Sequence, residues 1–180
     1  MAGLRADAEQ NRTRILAAAR AALAASGDAS LHSIAQRAGV GQGTLYRHFA
    51  NREELVLAVY RHDVTELVDA APALLAAHPP GQALEMWFEQ LAVFGRVKHG
   101  VSGVLHAAAK AGLDSEHYQP VVGAIALLLR AGQDAGQLRP DADAAEVLQL
   151  VSFLWRDEAD PAWQARSRHM LRIVLDGLRA

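Results

Sequence analysis

Along almost the whole chain, apolar residues recur three and four positions apart, the period of amphipathic helices, and no stretch reads as a convincing strand. A first helix is predicted from about Glu9 to Ser26, with Ile15, Leu16, Ala19, Ala22 and Leu23 as its stripe and Gly27 closing it; residues 1 to about 8 read as a loose arm. Ser30 is a good N-cap for a short helix burying Ile34, Ala35 and Ala38, and Gly39 suits the left-handed position after its end. Val40 and Gly41 leave room only for a tight turn before a third helix, about Gln42 to Phe49. Asn51, with Glu54 three residues on, predicts a capping box for a fourth helix. That helix carries Leu55, Ala58, Val59, His62 and Glu66 at helical spacing and lasts to about Ala71 or Ala77, with Pro72 bending or ending it.

The clearest break is His78-Pro79-Pro80-Gly81, after which Pro80 can open a helix to about Lys98 that turns Leu84, Trp87 or Phe88, Leu91 and Phe94 or Gly95 inward. Further helices are expected at about 102–111 and 117–135, then from the Asp143/Glu146 cap to about 157, and at 161–178, carrying Trp163, Met170, Ile173, Val174, Gly177 and Leu178 as an apolar stripe that one small body need not cover. About nine helices make an all-α protein.

Two short helices joined by a glycine-containing turn of about three residues form a helix-turn-helix. On the third helix Leu45 and Phe49 share the face that packs inward. Gly43, Thr44 and Arg47 then point away, with Tyr46 and His48 on the flanks and Gln42 at the N-terminal tip. A helix entering a DNA major groove needs such hydrogen-bonding groups on its free side: its N-terminal residues meet base edges and its flanks meet phosphates. Glutamine can pair with adenine N6 and N7, arginine with guanine O6 and N7, and a threonine methyl can touch thymine. Gly43, without a side chain, lets the backbone come close to the duplex.

At these residues AGVGQGTLYRHFANREEL resembles the DNA-binding signature of TetR-family transcriptional regulators, whose usual form is AGVSxGTLYxHFxxKxxL. Upstream, RILAAARAALAASG is similar to the family's first helix, so the resemblance spans roughly residues 10 to 60. Two positions depart from the pattern. Gly41 stands where serine is frequent, removing a possible cap and phosphate contact; Arg52 stands where lysine is frequent, keeping the charge but not the same phosphate chemistry. The resemblance implies a three-helix DNA-binding head at 1–52 and a helical ligand-binding and dimerisation body at 53–180. Gln42, Thr44 and Arg47 are then expected to read bases, and Tyr46, His48 and Arg52 to hold phosphates. Arg12 and Arg14 are further candidates for phosphate contact.

Charge changes the picture only by its distribution. The net charge of −2 does not suggest a nucleic-acid binder. Residues 1–52, however, carry seven arginines against three acids (net +4), and the remaining 128 carry eleven bases against seventeen acids (net −6). A basic head on an acidic body is the footprint expected if only the head meets phosphate. There is no cysteine, which excludes disulfides, thiol catalysis and thiolate metal sites. The N-terminus lacks the apolar core of a signal peptide and no run approaches a membrane span, so a cytoplasmic protein is expected.

No catalytic constellation stands out, and no metal or cofactor is expected. There is no phosphate loop, no nucleophile elbow and no paired-histidine metal motif; His62, His78, His117 and His169 are scattered. His106 and Lys110 would share a helix face, which suits a pocket lining or surface better than catalysis. In the body, Trp87, Leu91, Phe94, Leu105, His106 and Trp155 could line a mostly apolar pocket for a small molecule, though by periodicity alone they read as core. The resemblance implies such a cavity, and it implies a homodimer formed through the last two helices, about 143–157 and 161–178. A C2 dimer would present two recognition helices to half-sites about 34–36 Å apart. The expected function is therefore a TetR-like regulator, acting as a repressor released from operator DNA by a ligand. The alternatives are a helical ligand carrier or enzyme that no longer binds DNA, and a module recruiting protein partners.

Overall fold

A computed structural model describes residues 2–25, 29–99, 114–155 and 162–180. Among them are eight α-helices: α1 (Ala2–Ala25), α2 (Leu31–Ala38), α3 (Gln42–His48), α4 (Arg52–Ala77), α5 (Pro80–His99), α6 (Asp114–Asp134), α7 (Ala144–Leu150) and α8 (Trp163–Leu178). A 3-10 turn, Ser152–Trp155, follows α7. No strand occurs among the described residues; one isolated antiparallel bridge joins Leu138 to Arg179. The helix expected at 102–111 lies outside them. None of the described helices is long and apolar enough to cross a membrane. The chain is all-α.

The described residues divide into two units, one built on residues 2–62 and the other on 63–96 and 114–180, and the division falls inside α4. In the first, Ile15, Leu16, Ala19, Ala22 and Leu23 of α1 close over Ile34, Ala35 and Ala38 of α2, Leu45 of α3, Phe49, and Leu55, Val56 and Val59 of α4. The stripe expected for α1 is the one buried. The helix itself starts earlier than expected, at Ala2 rather than Glu9. Ala2, Leu4, Arg5, Ala6 and Ala8 are good helix formers and let the helix grow towards the N-terminus. On α4 the buried set shifts by one: Val56 is buried beside Leu55 and Val59, whereas His62 and Glu66 are exposed. Pro72 does not end α4, which runs on to Ala77.

In the second unit α5 opens at Pro80, and both Trp87 and Phe88 are fully buried, packed edge to face at 5.7 Å. Ile125, Leu128 and Leu129 of α6 and Val147 and Leu148 of α7 are buried as well. Gly132 on α6 sits against Leu138: an added Cβ would lie 2.3 Å from Leu138 Cδ1. Gly132→Ala is accordingly expected to destabilise the protein by about 1 kcal/mol, an overpacking cost of ~1–3 kcal/mol exceeding a helix-propensity gain of ~1 kcal/mol. The midpoint of urea unfolding measures it.

One expectation fails here. The helix foreseen from Asp143 to about 157 stops at Leu150, although Asp143 caps it as foreseen, accepting from the Ala145 and Glu146 amides at 2.8 and 3.1 Å. Val151 leaves the helical region (φ −89°, ψ 6°), and the Leu154 amide then bonds three residues back to the Val151 carbonyl. Val151, Ser152 and Phe153 are weak helix formers in succession, and the chain tightens into a 3-10 turn. On α8 the apolar residues divide between two faces. Its buried residues are Leu171, Leu175 and Leu178; Trp163, Met170 and Val174 are half-buried, Gly177 is exposed and Ile173 is 58% exposed.

Candidate nucleic-acid interface

The geometry of the helix-turn-helix is set by short-range caps. The Ser30 hydroxyl accepts the Ser33 amide at 3.2 Å, starting α2. Gly39 ends it in the left-handed region (φ 64°, ψ 34°), and the Gly39 and Val40 amides bond back to the Gln36 and Ala35 carbonyls at 3.1 Å. Only glycine takes that backbone geometry without steric cost. Gly41 is the N-cap of α3 and offers no side-chain bond, so the departure from the serine pattern leaves α3 uncapped by a side chain. An added Cβ at Gly41 or Gly43 meets nothing within 4 Å, so both positions are open on the outside of the turn.

Arg14 completes the turn from α1. Its Nε and Nη2 donate to the Ala38 carbonyl at 3.2 and 2.9 Å, and Nη2 donates to the Gly39 carbonyl at 2.9 Å. The guanidinium thus satisfies carbonyls left over at the end of α2. The side chain expected to contact phosphate is instead a brace within the head. Arg12 likewise faces inward, its guanidinium 5.5 Å from the centre of the Phe49 ring.

On α3 the two faces separate as expected. Leu45 and the C-cap residue Phe49 are buried, while Gln42, Gly43, Tyr46 and Arg47 are exposed and Thr44 and His48 half-buried. Tyr46, 52% exposed, is the one large hydrophobic residue left open in the first unit among the described residues. Arg47 lies back along its own helix, donating through Nε to the Gly43 carbonyl (3.2 Å) and through Nη2 to the Thr44 hydroxyl (3.0 Å). Its Nη1 is the part of the fork these bonds leave over. Gln42 is held too: its Nε2 meets the Nδ1 of His32, an exposed residue of α2. No local pattern in the sequence pointed to His32.

Arg52 opens α4 and is half-buried, its Nε donating to the Ala29 carbonyl at 3.5 Å. Asn51 Oδ1 accepts the Glu54 amide at 2.8 Å, and Glu54 Oε2 accepts the Ala50 amide at 2.8 Å. The expected capping box forms with its return bond displaced by one residue. Six of the seven expected DNA-contacting residues thus lie along one short helix, and Arg52 opens the next.

The expected ligand residues are less concentrated. Trp87 and Leu91 are fully buried, and the Trp87 indole N–H already donates to the Leu67 carbonyl at 2.7 Å. Phe94 lies on α5 and Trp155 ends the 3-10 turn. Leu105 and His106 lie outside the described residues. A separate cleft of about 450 Å³ runs between α7 and α8, floored by Val147, Leu150, Ile173 and Val174 and rimmed by Arg139, Asp141, Asp143 and Glu146. At its rim Arg139 grips Asp141 with two bonds (2.6 and 2.8 Å), which hold the Asp141 carboxyl below the usual carboxylate range.

An uncapped, outward-facing α3 with its polar residues in a row, fixed on two other helices, defines a helix-turn-helix DNA-binding protein. Comparison with known proteins gives the family. A family model described as "Bacterial regulatory proteins, tetR family" matches residues 15–59. Another, "Transcriptional regulator SbtR-like, C-terminal domain", matches residues 79–180, more than half of the chain. A TetR transcriptional regulator from Streptomyces coelicolor is 36% identical and superposes with a TM-score of 0.82, over 93% of this chain and 98% of that one. A TetR transcription regulatory protein from Mycobacterium vanbaalenii is also 36% identical, with a TM-score of 0.77 over 98% of this chain and 99% of that one. The HTH-type transcriptional regulator UidR of Escherichia coli (strain K12) is 27% identical over 99% of this chain and 97% of its own length. The chain belongs to the TetR family and is a DNA-binding transcriptional regulator.

Proposed function

We propose that this regulator is a homodimeric repressor whose heads, residues 1–52, bind a pseudo-palindromic operator and whose bodies, residues 53–180, dimerise and bind a small molecule that releases the DNA. The observation that carries the DNA reading is the exposure pattern of α3, with Leu45 and Phe49 buried and Gln42, Gly43, Tyr46 and Arg47 open to solvent. Gln42, Thr44 and Arg47 read bases; Tyr46, His48 and Arg52 contact the backbone. Arg47 must give up its bonds to Gly43 and Thr44, or use its remaining N–H groups, to reach a guanine. The head's net charge of +4 supplies the salt-dependent part of the affinity. A regulator of this kind acts in the cytoplasm and catalyses no reaction.

The body carries the second half of the proposal. Leu150 (59% exposed) and Ile173 (58% exposed) lie on the facing sides of α7 and α8, beside Val174 and the exposed Gly177, an apolar surface suited to a second copy. The small molecule binds in the body, in the unit that holds Trp87, Leu91, Phe94 and Trp155. It acts by favouring a body conformation in which the two heads no longer match the half-site spacing, and weakens DNA binding by its differential affinity for that state.

Selection of bound duplexes from a random library tests the proposal. The expected product is a pseudo-palindrome with half-site centres about one turn, 34–36 Å, apart. Arg47→Ala is expected to lose about 1–3 kcal/mol and to relax preference at one base position in each half-site. An equal loss on all sequences would move Arg47 from the base readers to the phosphate contacts.

A further inference from the structure

We propose that His32, on α2, is a positioning residue for DNA readout: it fixes which edge of the Gln42 carboxamide faces the bases. The proposal rests on the reading of Gln42 as a base contact. A glutamine side chain carries an acceptor and a donor pair on one planar end, and a free amide can present them in either order. Adenine requires one order only, the oxygen opposite N6–H and the nitrogen opposite N7. In this protein Gln42 Nε2 meets His32 Nδ1. With the amide nitrogen donating, the imidazole accepts at Nδ1 and carries its proton on Nε2. One of the two amide N–H groups is thereby committed. Oε1 and the second N–H remain, which is the acceptor–donor pair adenine takes.

Both residues are exposed, and His32 is absent from the buried core of the head. The contact therefore contributes little to folding, and its effect falls on readout. It also bridges the two helices of the motif, from the first turn of α2 to the first residue of α3. Specificity at the Gln42 position is then shared with a residue outside the recognition helix. Ordering a long polar side chain before binding spares an entropy cost that corresponds to about two- to tenfold in affinity for the matching base.

The test uses the full-length protein and a random duplex library, with base preference at each position obtained by sequencing bound and free fractions. Wild type, His32→Leu, His32→Asn, Gln42→Ala and the His32→Leu/Gln42→Ala double variant are compared, and a thermal unfolding curve is recorded for each. His32→Leu is expected to relax preference about two- to tenfold at the single position that Gln42→Ala affects, with no change in unfolding midpoint. In the Gln42→Ala background the same substitution is expected to do nothing further. His32→Asn, which keeps an acceptor at the place of Nδ1, is expected to restore the preference. The proposal is overturned if Gln42→Ala changes the preference and His32→Leu does not, if His32→Leu weakens all sequences alike, or if His32→Asn behaves as His32→Leu. An unchanged preference in Gln42→Ala would instead remove Gln42 from the base readers, and the role of His32 with it.

Discussion

Replacing Leu150 and Ile173 together by aspartate is expected to leave the chain monomeric at micromolar concentration and to weaken operator binding by about 10²- to 10⁴-fold. Both side chains are more than half exposed in the isolated chain, so the substitutions cost the folded subunit little. In the proposed dimer each would place a carboxylate in an apolar contact, and an unpaired buried charge costs several kcal/mol. Twofold symmetry doubles the number of such charges, because each subunit contributes the same patch. Asp143 and Glu146 at the neighbouring rim add like charge and increase the penalty. The loss on DNA then follows from valency. One head on one half-site makes half of the contacts, and the second head no longer binds at the effective concentration set by its twin. Sedimentation and operator titration measure the two effects separately. A variant that stays dimeric would show that the subunits meet through another face.

The same pair of helices marks where sequence reading stopped. On α8 the apolar residues occupy more than half of the circumference, so periodicity offered two stripes. Leu171, Leu175 and Leu178 form the buried one, and the other runs from half-buried Met170 and Val174 to exposed Ile173. A stripe that covers a second subunit is as apolar as one that covers its own core, and a single sequence does not separate them. The head was more legible because its decisive signals act over three or four residues: Ser30 on Ser33, Gly39 on α2, Asn51 on Glu54. Where a side chain acts at long range the signal vanished. Arg14 works 24 residues downstream at Ala38, and His32 works ten residues downstream at Gln42. An arginine near a helix start looks the same in sequence whether it serves a phosphate or a carbonyl. In the body, Trp87 and Leu91 look identical as core or as pocket, and the indole bond to Leu67 could not have been foreseen from spacing.

Phe49→Ala is expected to cost the protein about 3–5 kcal/mol and to abolish operator binding at physiological temperature. The residue is 2% exposed, caps the C-terminus of α3 with its amide on the Leu45 carbonyl (2.9 Å), and belongs to the cluster that joins α1, α2, α3 and α4. Removing the ring takes away its transfer free energy and leaves a cavity that the surrounding helices fill only in part. It also strips Arg12 of the aromatic face it lies over. Domains of this size are stable by about 5–15 kcal/mol, so the loss is a large share of the whole. α3 has seven residues and no side-chain N-cap, too short to persist without its packing, so its outward residues lose their arrangement together. Chemical denaturation should show a lower midpoint with an unchanged slope. The contrast with Arg47→Ala separates fold from readout. There the unfolding midpoint is expected to stay within about 0.5 kcal/mol of wild type while DNA binding falls. Phe49→Leu, which keeps most of the buried volume, is expected to recover the greater part of both stability and binding. Failure of Phe49→Leu to do so would mean that the aromatic ring itself, through Arg12 and His48, holds α3 in place.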